Sequence, residues 1–302
     1  MKFYNGIQTV ALFNMLFDLL EPCLPSMVYW RGTRTVSPSK YIGNKKRRNQ
    51  KVPLRDQFLL VLMRLRLGLM NEDLADRFRI SPGVCSNIFT TWIKMLALLY
   101  GKALVRWLPR DVIRSNLPDS FKKIIPKTRC IIDCTDIFME RSKSLHAQAS
   151  TWSDYKKHNT LKVLVAISPH GYIMFLSSCY GGRTSDQFIC SNSGLYNLLD
   201  PGDEVADRGF QIKEDLLHFY CSLNVPPGAR VKSQMTSYEC KKTRMVANLR
   251  IHVERAINRI KEFKIIKNIM PINMLPLADG IIQVCAALCN IQPPLIKIKE
   301  IK

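Results

Sequence analysis

The hydrophobic pattern changes period part-way along this chain, and that change limits the possible folds more than any other feature. As far as Tyr100, apolar residues recur at helical spacing. From Arg129 they fall into short runs rich in β-branched residues, the pattern of strands. A helical region followed by a sheet-forming one is therefore expected: an all-α domain over residues 1–115 and an α/β domain over 126–295.

The helical part reads in detail. Apolar positions in residues 7–20 share one helix face, although Asn14 and Asp18 interrupt the run. No small-residue cleavage site follows, so the segment is not read as a signal peptide. Residues 31–53 are polar, hold two prolines and two glycines, and carry Lys45-Lys46-Arg47-Arg48. They read as an exposed basic linker. The basic run fits either a nuclear import signal or a loop contacting phosphates through Lys45, Lys46, Arg47 and Arg48.

Leu54–Leu69 then repeats apolar residues at helical spacing, and Asn71–Phe78 is a second, short helix with Asn71 as its cap. A tight turn follows, with Ser81 placed to cap a third helix and Pro82 in its first position. That helix runs over Val84–Tyr100. The order over residues 54–100 matches a helix-turn-helix, whose last helix would present Asn87, Thr90, Thr91 and Lys94 to DNA. A plain helical bundle is the alternative.

In the second part, Arg129–Asp133 is a brief strand. Leu161–Ser168 and Tyr172–Tyr180 form a hairpin about Pro169-His170-Gly171. A helix opens near Ser185 and includes Leu195–Leu199. A very short strand ends at Asp207, Ile212–Tyr220 is helical, and Leu223–Val225 is a strand. A long basic helix covers Ser237–Ile266, with Val246, Leu249, Val253, Ile257 and Ile260 on one face. The order β-β-β-α-β-α-β-α is that of an RNase H-like mixed sheet. The apolar stretch Leu275–Ile291 contains Asp279 and Gln283, is short for a bilayer, and reads as a packed helix.

Three acids occupy special places in that order. Asp133 ends the first strand, Asp207 ends the fourth, and Glu254 lies on the late helix. Carboxylates that converge repel one another unless a cation lies between them. Oxygen ligands suit Mg²⁺ or Mn²⁺, and two such ions about 4 Å apart can activate a nucleophile and stabilise the leaving oxygen of a phosphodiester. Taken singly, Asp133 and Asp207 could be turn residues, and Glu254 could pair with Arg250 along its helix. Asp186 is a rival metal ligand, with helix capping as its other role; Asp136 and Glu140 are weaker candidates. His252 faces away from Glu254 and is read as structural or phosphate-contacting.

Charge points the same way. Lys and Arg number 45 against 24 acids, a net +21, which attracts polyanions and makes DNA the first partner. Residues 31–66 hold eleven basic residues against Asp56, and residues 230–267 hold eleven more, including Arg250, Arg255 and Arg259. None of the ten cysteines forms a Cys-x-x-Cys pair, so no zinc finger is expected among these residues. They read as buried thiols in a reducing compartment.

The stretch Arg129–Tyr180, Gly181-Gly182-Arg183-Thr184-Ser185-Asp186, Ala206-Asp207-Arg208-Gly209-Phe210, Arg250–Arg255 and Val284–Leu295 resemble the DDE endonuclease domain of PIF/Harbinger-type transposases. Within that family they resemble the animal branch often fused behind a THAP zinc finger; no such finger is expected among these residues. Residues 54–100 resemble the helix-turn-helix ahead of that nuclease. The resemblance implies that Asp133, Asp207 and Glu254 stand at the three catalytic, metal-binding positions; the 46 residues between the last two suit the family's spacing. Cys134 stands where a glycine is common in the wider family. The resemblance implies a nuclear, Mg²⁺- or Mn²⁺-dependent DNA endonuclease derived from a transposase. Its expected partners are DNA, a separate DNA-binding protein and a second copy of the chain, with no membrane. The competing readings are a domesticated DNA-binding protein without nuclease activity and a structural partner of another DNA-binding protein.

Overall fold

The computed structural model describes residues 2–30, 32, 52–117, 122, 126–206, 212–224 and 251–295. The chain divides into two compact units: Met1–Ala103 with Lys261–Leu288, and Leu104–Ile260 with Cys289–Lys302.

The first unit is helical. After α1 (Lys2–Asn5), the Thr9 hydroxyl accepts from the Leu12 N–H and caps α2 (Val10–Asp18). Helix α3 (Leu54–Leu67) is buried on most of its circumference, as expected of a central helix. Its Phe58 ring lies 5.2 Å from Phe13 and 5.6 Å from Trp92. Each fully buried side chain of this size contributes about 1.5–3 kcal/mol. Polar groups are matched inside this core. Gln57 Oε1 accepts from Tyr29 Oη at 2.6 Å and from Trp92 Nε1 at 3.0 Å, while Gln57 Nε2 donates to the Val52 carbonyl. Gly68, at φ +64°, takes the left-handed position that closes α3.

Helix α4 (Asn71–Arg77), a tight turn and α5 (Pro82–Leu96) follow the expected order. Ser81 caps α5 through Val84 N–H, with Pro82 first in the helix. The expected cap of α4 differs. Met70 occupies that position, and the Asn71 side chain instead accepts from Arg64. The turn stops α4 with Arg79 in the left-handed region (φ +53°) and Ile80 N–H bonded to Ala75 O. That is a Schellman-type stop made without glycine.

The stretch Ile272–Asn290 is, by length and composition, capable of crossing a membrane, contrary to the expectation that it is too short. More than half of it is buried, and in this unit Gly280 packs against Ile93. A Cβ on Gly101 would meet Gln283 at 2.5 Å. It packs as a core helix.

The second unit is mixed α/β. Its strands are β1 (Thr128–Phe138), β2 (Trp152–Ser153), β3 (His158–Ile167), β4 (Ile173–Leu176), β5 (Tyr180–Gly181), β6 (Glu204–Ala206) and β7 (Ser222–Asn224). The sheet order is β2-β3-β1-β6-β7, with β4 and β5 also paired to β3. β1 runs antiparallel to β3 and parallel to β6, and β6 is parallel to β7. One face packs Cys130, Ile132, Leu164, Ala166 and Val205 against Ile189 and Cys190 of helix Asp186–Asn192 and Leu216 of helix Lys213–His218. Ile131, Val163, Val165 and Ile167 alternate with them and are buried on the other face.

Several expectations need correction. β1 runs five residues beyond Asp133, so that acid lies within the strand and not at its end. The second arm of the hairpin is two strands, β4 and β5. Helix Asp186–Asn192 stops at Gly194 (φ +83°), and Tyr196–Leu198 forms a separate 3-10 turn. The late helix, described over 251–261, breaks before a short helix Lys264–Lys267. Helix Leu145–Thr151 and strand β2 had no counterpart in the sequence reading.

Candidate active site

Asp133, the first of the candidate acids, lies on β1, whose two halves differ. Thr128–Ile132 is buried throughout, and its residues pair with β6 up to Ile131↔Ala206. Asp133–Phe138 pairs with β3 alone among the described residues, and Asp133, Cys134, Asp136 and Phe138 are only partly buried.

Side chains alternate between faces along a strand. Asp133 therefore shares a face with its antiparallel partner Val165. Cys134 and Asp136, with partners Leu164 and Lys162, belong to the face that carries the core cluster. On that face the acids have fixed partners. Thr160 Oγ1 donates to Asp136 Oδ1 at 2.8 Å. Lys162 Nζ donates to Asp186 Oδ1 at 3.0 Å and to the Thr184 carbonyl at 2.9 Å. Helix capping belongs to Ser185, whose hydroxyl accepts from Phe188 N–H; Asp186 is the first helical residue. Burial, with Asp186 as the next cause, pushes the Cys134 thiol far above its usual range. Asp186 thus lies close to Cys134, on the opposite face from Asp133.

Glu254 is exposed on the late helix, whose buried positions are Val253, Ala256, Ile257 and Ile260. Its neighbour His252 is half-buried; burial and then Arg255 hold its imidazole below the ordinary value. Arg255 is exposed, and Arg259 donates to the Pro293 carbonyl at 2.8 Å. Asp207, Arg250 and Lys45, Lys46, Arg47 and Arg48 lie outside the described residues. The strand leading to Asp207 ends at Ala206, paired with a residue two positions before Asp133. Among the described residues no three His, Cys, Asp or Glu side chains group as a metal site. The oxygen donors of Asp133 and Glu254 have the hard chemistry that Mg²⁺ and Mn²⁺ require.

A family model described as DDE superfamily endonuclease matches residues 132–290, more than half of the chain. The chain belongs to the DDE superfamily endonucleases. A second model, the helix-turn-helix of DDE superfamily endonuclease, matches residues 50–100. Neither a curated protein nor a solved structure matches the chain.

The DDE endonuclease match takes in Asp133, Asp207 and Glu254, and the helix-turn-helix match takes in α3, α4 and α5. On α5, Asn87 and Thr90 are partly exposed. Thr91 is buried; its hydroxyl donates to the Asn87 carbonyl and accepts from Trp30 N–H. Lys94 Nζ rests 3.8 Å from the Trp30 ring centroid. The sequence reading missed the Thr160–Asp136 and Lys162–Asp186 bonds. They depend on tertiary placement: strand register brings β3 beside Asp136, and the helix Asp186–Asn192 brings Asp186 to Lys162.

Proposed function

We propose that this DDE superfamily member is a metal-dependent DNA endonuclease derived from a PIF/Harbinger-type transposase, acting in the nucleus. The observation that carries the reading is the family match over residues 132–290 together with the placement of Asp133 in the partly buried half of a central strand. The pairing of β4 with β3, of β3 antiparallel to β1, and of β1, β6 and β7 in parallel supports an RNase H-like arrangement. Asp133, Asp207 and Glu254 would hold two divalent ions. When bound, such ions supply a deprotonated nucleophile and stabilisation of the leaving oxygen. The chain's own contribution is to fix Asp133 on a rigid strand, to keep Asp136 and Asp186 tied to Thr160 and Lys162, and to draw DNA phosphates with its surplus of 21 positive charges.

One observation favours delegating site recognition to a separate DNA-binding protein. Two of the four candidate DNA-contacting residues on α5, Thr91 and Lys94, already contact Trp30.

Nicking of a supercoiled plasmid in Mg²⁺ or Mn²⁺ tests the main reading. Glu254→Gln should abolish cleavage while DNA affinity stays equal or rises slightly, because one negative charge beside basic residues is removed. Glutamine preserves the helix. Normal nicking by this variant would remove the three-carboxylate mechanism.

A further inference from the structure

Just before β3, the chain makes a tight turn that the family match and the candidate acids leave unexplained. Residues 154–157 connect β2 to β3, closing on the pair Ser153↔His158. Tyr155 is 85% exposed at its tip, and Trp152 is exposed three residues earlier. Two lysines, Lys156 and Lys157, follow directly, and both are exposed.

Single exposed aromatics are ordinary on protein surfaces. This pair differs because the turn is built to hold them. Lys157 N–H donates to the Ser153 carbonyl at 2.8 Å, and Lys156 N–H donates to Ser153 Oγ at 3.3 Å. The Trp152 indole N–H donates to Asp154 at 3.1 Å, which restrains that ring. Lys156 Nζ lies 4.5 Å from the Tyr155 ring centroid. Lys157 adopts a left-handed backbone (φ +53°), unfavourable for any residue with a Cβ. Outliers of this kind concentrate where function requires a particular shape.

A further cation joins them. Arg183 is exposed, and its N–H reaches the Ser150 carbonyl at 3.4 Å, two residues before Trp152. Its loop is held flat against the sheet. Gly182 N–H bonds to Thr160 O at 2.9 Å, and a side chain at Gly182 would collide with the Thr160 hydroxyl. The patch lies at the end of the sheet where β1 finishes, since Phe138 pairs with Thr160. Asp133 begins that half of β1.

We propose that Trp152, Tyr155, Lys156, Lys157 and Arg183 form a binding surface for unpaired DNA bases, with Tyr155 as the stacking platform and the cations on the phosphates. Exposed rings interleaved with cations are what single-stranded nucleic acid binds: each base has a stacking face and each linkage a charge. The proposal rests on the DNA endonuclease reading and names where a strand freed by fraying beside a nick would lie.

The test compares full-length protein binding to a duplex with an unpaired 3′ tail and to the same duplex fully paired. The wild type should prefer the tailed DNA. Tyr155→Ala should lose about tenfold in affinity for the tailed DNA, the order expected for one stacked base. Its affinity for paired duplex should be unchanged. Tyr155→Phe, which keeps the ring, should retain the preference. Replacing Lys156 and Lys157 with alanine should lower the salt slope on the unpaired tail by about 0.7 for each phosphate no longer neutralised. Tyr155 buries almost nothing, so its variants should melt with the wild type.

A Tyr155→Ala variant with unchanged affinity for tailed DNA overturns the proposal and assigns the surface to a protein partner. Equal loss on both DNAs also overturns it. Plasmid nicking on the same samples separates the two levels. Nicking without Tyr155-dependent tail binding removes only the stacking surface. Tail binding through Tyr155 without metal-dependent nicking removes only the endonuclease reading.

Discussion

The two halves of β1 hold charged residues of opposite sign, Arg129 in one and Asp133 and Asp136 in the other, and use them differently. In the buried half, Arg129 and Asp203 are each 3% exposed at the side chain, 3.4 Å apart. Asp203 also accepts from Arg110 Nε at 2.7 Å, and Trp107 lies 5.0 Å from the Arg129 guanidinium. Burial pulls the Arg129 pKa down, while the Asp203 hydrogen bond raises that of Arg110. These charges tie the segment before the sheet to the loop before β6. Beside the partly buried half, Asp136 and Asp186 are held by Thr160 and Lys162, and Asp133 stands on the opposite face. A charge enclosed on all sides can serve only the fold. One that is only partly buried, as Asp133 is, can meet a ligand.

That contrast is tested most strongly in the buried half. Asp203→Ala should destabilise the protein by about 3–5 kcal/mol, because Arg129 is left as an uncompensated buried charge. Urea unfolding measures it, and a loss below about 1 kcal/mol would remove the enclosed-charge account. Lys162→Met should cost less, about 1 kcal/mol, since Lys162 is 16% exposed but Asp186 is 43% exposed and solvent screens the pair. Nicking by this variant should persist; its disappearance would give Asp186 or Lys162 a chemical role.

The smallest effect is with pH. His170 is held below its ordinary value by burial, as is His252 by burial and Arg255, and His170 Nδ1 is enclosed without a hydrogen-bond partner. Below about pH 6.5 the unfolded chain takes up protons that the folded chain resists. Stability is therefore full above that pH and declines as pH falls through it. His170→Gln should flatten part of the decline in melts across that range.

The helical unit was largely legible because its signals are local. Ser81, Pro82 and the spacing of Phe58, Val61, Leu62 and Leu65 each act within a few residues. Its illegible parts are the groups whose roles depend on distant partners: Gln57 inside the core, and Arg79 in a backbone region usually given to glycine. In the sheet, the apolar run showed where β1 begins but not where it ends. Asp133 and Asp136 resemble turn residues, although Thr135 and Ile137 keep the alternation of a strand. Helix Leu145–Thr151 buries no residue fully and so has no apolar period to read. Asp133 and Glu254 stood out as acids at sheet and late-helix positions, whereas the partners of Asp136 and Asp186 follow only from strand register and helix placement.

The central claim is that Asp133, not the acids of the other face, serves the chemistry. Metal-dependent plasmid nicking by Asp133→Asn and Asp136→Asn, measured side by side, tests it. Loss at Asp133 should exceed the roughly 10–100-fold typical of residues one shell away from a metal, while Asp136→Asn stays within about tenfold of wild type. Equal losses, or a larger loss at Asp136, would contradict the account.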